Sequence, residues 1–441
     1  MAAQLAVDAA PGRWRAIGLS AMLPTLVTAD AAGQPAGPAI TWEDNRAEEQ
    51  ADRLRETFDA AAGAPGGAAL YRLTGQWVDG RYLLPMFLRL AAADPPRAAA
   101  TAILLGAKDY LFAWLTGQLA TDPSTATGFG CFELETGQWD ARVLGAAAAG
   151  SAGRLPALPP VVPSAATRPL RPEVAARLGC GQIPVCLGAA DSVLGALGLG
   201  VQSPGQIAYV AGTSTVILGV TDALVYDPQH RFLVTPLAEP GRWGLEMDLL
   251  ATGSALRWLA GLLGDGLDEA AVIALAASTD PADAPVLLPY LSPGEQGALW
   301  DPSLNGTITG LTLAHGRRHL ARGLVNGIVL ESRRCLAVLD ETGPFGADLL
   351  VAGGSASAAA FRADLADATG RRVVTPGEQH TDFSALGAAM LAARATEQPA
   401  NLAGPRRSPS PAPRDPDIRR QSAWNRLWDA HERARLAVQG S

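Results

Sequence analysis

Three short apolar runs, each leading straight into a glycine-bearing turn, constrain this chain more than any other feature. Pro184-Val185-Cys186-Leu187 leads into Gly188-Ala189-Ala190-Asp191, and residues 207–220 are two apolar runs around Gly212-Thr213-Ser214. Leu349-Leu350-Val351 leads into Gly353-Gly354-Ser355-Ala356. Short apolar runs bounded by glycine predict buried strands. A Gly-rich helical stretch follows the first turn as far as Gly200, and an alanine-rich helix follows the third. Strands alternating with helices predict an α/β protein. Glycine at a strand end lets backbone come close to a ligand, and the amides of a following helix start attract anions. A single such turn is most simply a tight turn, because glycine is the default turn residue. Three in this order, with an acid closing the first, carry more information.

The same reading predicts strands at 16–20 and 26–28, a surface helix over 46–58 and a helix over 98–115 that Gly117 closes. The prolines of 156–172 predict an extended connection. Residues 399–416, rich in Pro, Arg and Ser, predict a linker or exposed loop. Beyond them, residues 418–436 predict an amphipathic helix with Trp424, Leu427 and Trp428 on one face.

With 441 residues, two domains are expected, and 48% hydrophobic against 18% charged residues suits globular cores rather than disorder. The net charge of -8, near-absence of lysine and lack of any Lys/Arg-rich run give no nucleic-acid footprint. An acidic chain can still bind ATP, since backbone amides and Mg²⁺ handle phosphates locally. Cys131, Cys180, Cys186 and Cys335 form no C-x-x-C pair and read as buried free thiols. Residues 1–12 lack the pattern of a signal peptide, and no apolar run reaches the ~20 residues of a membrane span. A cytoplasmic protein without membrane association is expected. His315 and His319 have metal-ligand spacing, but Arg317 and Arg318 lie between them without a third ligand nearby. They predict a solvated helix end, and no protein-bound metal is expected.

Asp191 is the sharpest single residue. It stands at the end of a predicted buried strand, where α/β proteins place ligands. It could equally cap the helix that follows. A carboxylate there could accept the proton of a hydroxyl during phosphoryl transfer.

The order of these motifs resembles the FGGY family of carbohydrate kinases. Pro38-Ala39-Ile40-Thr41-Trp42-Glu43-Asp44-Asn45-Arg46-Ala47 is similar to one of its segments, and Lys108-Asp109-Tyr110-Leu111, Leu115-Thr116-Gly117 and Thr121-Asp122 to another. Ala251-Thr252-Gly253-Ser254 with Arg257, Ala366-Asp367-Ala368-Thr369-Gly370 and Ala385-Leu386-Gly387-Ala388-Ala389 extend the likeness. It runs from about Trp14 to Ala393.

The resemblance implies two ribonuclease-H-like (actin-like) α/β domains around a cleft. Residues 1–184 would form the sugar-binding domain. Residues 185–441 would form the ATP-binding domain, carrying the Pro-rich segment 399–416 and the terminal helix. It implies ATP-dependent phosphorylation of a sugar or polyol hydroxyl, with a xylulose-like ketopentose foremost. Asp191 would be the general base. Gly212, Thr213, Ser214, Gly253, Arg257, Gly353, Gly354 and Ser355 would line the nucleotide site, and Met22, Trp42, Asp44 and Arg46 with Asp191 the sugar site. Mg²⁺ would arrive with ATP, sugar and ATP would be the partners, and a homodimer stays open. From the residues alone, Asp44 and Arg46 read as an exposed helix start.

Three departures stand out. The family's opening strand, D-x-G-T phosphate loop and second strand have no counterpart, so the first domain reads as truncated at its start, through a misplaced start codon rather than a broken gene. On that ground a non-catalytic sugar- or nucleotide-binding relic is the alternative. Leu23 stands where xylulokinase-like members carry a histidine, and Asn326 where many carry glutamate.

Overall fold

The computed structural model describes residues 11–63, 66–150, 154–292, 297–301, 303–376, 382–397 and 412–439. Of the Pro-rich segment expected over 399–416, residues 399–411 lie outside the described residues, as do residues 1–10 of the stretch read for a signal peptide.

Strand β1 (Ile17–Ala21) pairs in parallel with β2 (Pro184–Ala190), and Thr167–Pro169 pairs antiparallel on the other side of β2. From Val185 to Ala190 every residue of β2 is buried. A strand covered on both faces has no need of alternation, which is why Val185-Cys186-Leu187 reads as a continuous apolar run. A second small sheet sets Thr25–Ala29 between Ile40–Thr41 and Ile103–Gly106, both antiparallel to it.

That sheet corrects the single helix expected over 98–115. The segment is instead a short helix, Pro95–Ala100, then the strand Ile103–Gly106, then a helix, Ala107–Thr116. Ile103, Leu104 and Leu105 are an apolar run too short for periodicity to tell strand from buried helix. Pairing with Thr25–Ala29 decides for the strand. The expected stop holds, with Gly117 left-handed at φ 74°.

The later half is built on a six-stranded sheet. Its members include β3 (Ile207–Ala211), β4 (Thr215–Thr221), β5 (Trp243–Leu249) and β6 (Asp348–Gly353). The order is Leu233–Pro236, β5, β4, β3, β6, Arg372–Val374. β3, β4 and β5 form an antiparallel meander, while β6 joins β3 in parallel. The main core lies between this sheet and the helices Gly253–Leu263, Arg317–Thr342 and Ala359–Thr369. Among the described residues no helix is long and apolar enough to cross a membrane.

The terminal helix, Ile418–Val438, closes that core with Trp424, which is 1% exposed, while Leu427 and Trp428 pack beside it. Glu331 ties it down. His431 Nε2 lies 2.7 Å from Glu331 Oε1, and Tyr290 donates to the same oxygen at 2.8 Å. Burial pushes Glu331 up, but the Arg334 guanidinium and His431 outweigh it and hold the carboxyl far below its usual range. Asn326 has a structural task. Its Oδ1 accepts from Arg322 Nε at 2.8 Å and its Nδ2 donates to the Pro281 carbonyl at 2.9 Å.

Candidate active site

The site begins where β2 ends. Gly188 has φ 75°, and a Cβ there would stand 1.7 Å from the Leu19 carbonyl oxygen of β1. Only glycine allows the two parallel strands to stay paired through that turn. β2 stops at Ala190, and Asp191 opens the helix Asp191–Leu199.

A chain of polar contacts fixes this junction. The Ala190 N–H donates to Ser124 Oγ at 2.9 Å, and Ser124 Oγ donates to Asp122 Oδ2 at 2.6 Å. Asp122 Oδ1 lies 3.0 Å from Lys108 Nζ, which also reaches Asp109 Oδ1 at 3.3 Å. Lys108, Asp109 and Asp122 are at most 2% exposed. Burial pushes Asp122 up, but the Lys108 charge and the hydroxyls of Ser124 and Thr125 outweigh it and hold the carboxyl below its ordinary value. The segments quoted from 108–122 thus brace the strand that presents Asp191.

Asp191 does not cap its helix. The N-cap is Ala190, and the carboxylate's hydrogen bond is with the adjoining Ser192 N–H at 2.9 Å. Its side chain faces a cavity of about 190 Å³ between the two halves. Met22, Leu23 and Trp42 line one wall, Ser214 and Val216 another. Trp42 Nε1 is directed at Met22 Sδ.

Asp44 and Arg46 are not brought to this cavity, which corrects their expected place in the sugar site. Arg46 donates through its backbone N–H and Nε to Asp44 Oδ1, at 3.1 and 2.8 Å, so the pair is satisfied within its own turn. The two line a separate pocket with Arg89 and Arg97.

Glu246, Asp248, Arg81, Gln76, Thr235 and Trp300 line the cavity and were not foreseen. For the two acids a signal existed. Trp243-Gly244-Leu245-Glu246-Met247-Asp248-Leu249 is an apolar strand with acids at alternate positions, hence on one face. Arg81 sits after a loop with no comparable signature.

The cavity is electrostatically strained. Burial, reinforced by the Glu246 charge, pushes Asp191 up to about 6 against the Ser192 N–H that opposes it. Burial and then Glu246 push Asp248 up to about 8, and burial raises Glu246 itself. Arg81 relieves this only partly, because Asp79 holds its guanidinium, with Nε 2.9 Å from Asp79 Oδ2.

The other glycine turns meet beside the cavity. Gly212-Thr213-Ser214 joins β3 to β4, and Ser214 lines the cavity. The Thr213 carbonyl accepts the Ser254 N–H at 3.0 Å, which docks the start of the Gly253–Leu263 helix on that turn. A Cβ on Gly253 would stand 2.3 Å from the Gly212 carbonyl oxygen. Gly353 has φ 103°, a Cβ there would meet the Ala211 carbonyl oxygen at 2.0 Å, and the Gly354 N–H donates to that oxygen at 2.9 Å. Ser355 follows, 9% exposed, at the start of the short turn Ser355–Ser357. Arg257 is not drawn in. It points outward to Glu269, Nε to Oε1 2.7 Å, with its side chain 66% exposed.

Among the described residues no three His, Cys, Asp or Glu side chains converge closely enough to hold a metal ion. His315 Nδ1 and His319 Nδ1 each accept a backbone N–H, from Thr312 and Gly316.

Two family profiles match the chain. The FGGY family of carbohydrate kinases, N-terminal domain, covers residues 3–198, and the C-terminal domain of the same family covers 207–396. A gluconokinase of Bacillus licheniformis is 30% identical over 396 residues, covering 86% of this chain and 74% of that one. A xylulose kinase of Escherichia coli is 30% identical over 381 residues, covering 86% and 75%. The crystal structure of xylulose kinase from Rhodospirillum rubrum, 28% identical, superposes with a TM-score of 0.83 over 100% of this chain and 88% of that one.

Proposed function

The chain belongs to the FGGY family of carbohydrate kinases, with its two-domain actin-like fold, and on that premise we propose that Asp191 is the base in an ATP-dependent phosphorylation of a sugar or polyol hydroxyl. The observation that carries this reading is that one cavity is lined both by Asp191 and by Ser214 of the β3–β4 glycine turn. Acceptor and γ-phosphate would then face each other across a few ångströms. The hydroxyl oxygen forms the new bond to phosphorus, the bond from phosphorus to the β–γ bridging oxygen breaks, and the hydroxyl proton passes to Asp191. Met22 and Trp42 form the acceptor wall. The amides around Gly212 and Thr213, with the helix start at Gly253, receive the phosphates. Gly353, Gly354 and Ser355 border the adenosine.

A divalent ion, which we take to be Mg²⁺, accompanies ATP. The described residues supply no cluster that would hold it alone, so phosphate oxygens and water would complete its shell. A coupled ADP-release assay across sugars, with xylulose, gluconate and glycerol first in the panel, tests the reading. Acceptor-dependent ADP release supports it, and none with any acceptor overturns it.

Two further outcomes are expected. Asp191 must be ionised to take a proton, and its carboxyl titrates near 6. The value of kcat/KM should therefore fall about tenfold per pH unit below 6 and level off above it. A flat profile from pH 5 to 7 would remove Asp191 from the role. Gly353→Ala should displace the turn against β3 and weaken nucleotide binding by about tenfold or more, with acceptor binding unchanged. Calorimetry with each ligand separately measures both.

A further inference from the structure

The acceptor cavity holds more carboxyl groups than proton transfer requires. One base, Asp191, serves the reaction. Glu246 and Asp248 stand at alternate positions of β5, so both project from the same face of the sheet, and both line the cavity. Glu246, 7% exposed, is anchored by Thr235 Oγ1, which donates to its Oε2 at 2.8 Å. Asp248 is not anchored. Its Oδ1 is buried and makes no hydrogen bond among the described residues.

The rest of the lining answers these acids only in part: the Ser192 hydroxyl also bonds Glu246, and Arg81 acts on Asp248 from a distance. Arg81 is the one cation among the described lining residues, and Asp79 already engages it. Tyr82 donates its hydroxyl to Gln76 Oε1 rather than to an acid. Asp382 adds a further negative charge on the Asp191 side. Trp300 Nε1 is also buried without an acceptor and lines the same cavity. The complementary ligand therefore offers a cationic donor beside β5, an oxygen to Trp300 and a hydroxyl to Asp191. A neutral polyol can bond to Asp248, but it brings no charge that would let Asp191, Glu246 and Asp248 ionise together. An ammonium group brings three donors and the missing charge.

We propose that the acceptor is an amino sugar or amino polyol, its protonated amine held by Glu246 and Asp248 while one of its hydroxyls faces Asp191. The fate of the hydroxyl rests on the kinase reading above, whereas binding of the amine does not. The ammonium has no lone pair and is not phosphorylated. The hydroxyl oxygen takes the phosphoryl group, ADP leaves, and Asp191 holds the proton.

Proton linkage supplies an independent signature. With burial and neighbouring charge raising Asp248 to about 8, the free chain keeps a proton there at neutral pH. A bound ammonium favours the ionised carboxylate and expels that proton. The sign for stability follows. A carboxyl raised above its unfolded value binds protons more tightly in the folded chain, so its contribution falls as pH rises from about 4 to about 8. The amine should restore what alkaline pH removes.

The test is calorimetry of the intact chain without ATP, using D-glucosamine against D-glucose and glucamine against sorbitol, in buffers of different protonation enthalpy. The amine of each pair should bind about tenfold to a hundredfold more tightly and release about one proton at pH 7. Asp248→Asn should abolish both the preference and the release. It should also unfold at a higher temperature than the parent at pH 9, which shows that the variant is folded. Equal affinity within each pair, or tighter binding of the neutral member, overturns the proposal even if the chain phosphorylates neutral sugars. Amine binding that depends on Asp248, with no ADP release from any acceptor, upholds it and overturns the kinase reading instead.

Discussion

Replacing Asp191 by asparagine is expected to collapse turnover while acceptor binding survives. Asparagine keeps the shape of the side chain and its hydrogen bond with the Ser192 N–H, so the helix start should not move. What it loses is the capacity to take a proton, and removal of a positioned base costs about 10²- to 10⁴-fold in rate. The substitution also removes one of three mutually repelling groups, so the folded chain should be no less stable. Steady-state kinetics with calorimetry of a neutral acceptor separate the two effects. A variant within about tenfold of the parent in kcat would show that another group accepts the proton.

Lys108→Met should produce the largest loss of stability. Lys108 is the only lysine in the chain and is 2% exposed, with Asp109 and Asp122 on its ammonium. Methionine fills similar space but leaves two buried carboxylates without a cation, which costs about 3–5 kcal/mol. The damage should reach the site, because Asp122 holds Ser124, and Ser124 holds the Ala190 N–H beside Asp191. Denaturant unfolding measures the first effect and kcat the second. Because there is one lysine, amine-directed acylation of the parent reports the same burial: Lys108 should stay unlabelled in the folded chain and react on unfolding. A loss under about 1 kcal/mol would mean that the three groups are not coupled as described.

Local features made much of this legible. The glycine-bearing segments at 188, 212 and 353 are short, punctuated and strongly apolar, and the structure ends a strand at or within two residues of each, with a second strand rather than a helix following Gly212. The terminal helix was readable from Trp424, Leu427 and Trp428, which do face the core. The strand Ile103–Gly106 was not, since only its pairing with Thr25–Ala29 distinguishes it from helix. At the site, Asp191, Met22 and Trp42 share one cavity, while Asp44 and Arg46 turn to each other and Arg257 to Glu269. Charged residues find partners in their own turn or across a helix surface, and sequence spacing does not reveal which partner wins. Glu246 and Asp248 were visible as alternate acids in an apolar strand, but their meaning depends on that face being the wall of a cavity.

The most direct measurement is a crystal structure with acceptor bound and no nucleotide. A hydroxyl oxygen should lie within about 3.2 Å of an Asp191 carboxylate oxygen, with Met22 and Trp42 against the ligand. An acceptor seated instead in the pocket of Asp44, Arg46 and Arg89, or held more than about 5 Å from Asp191, would contradict the assignment of this carboxylate as the base.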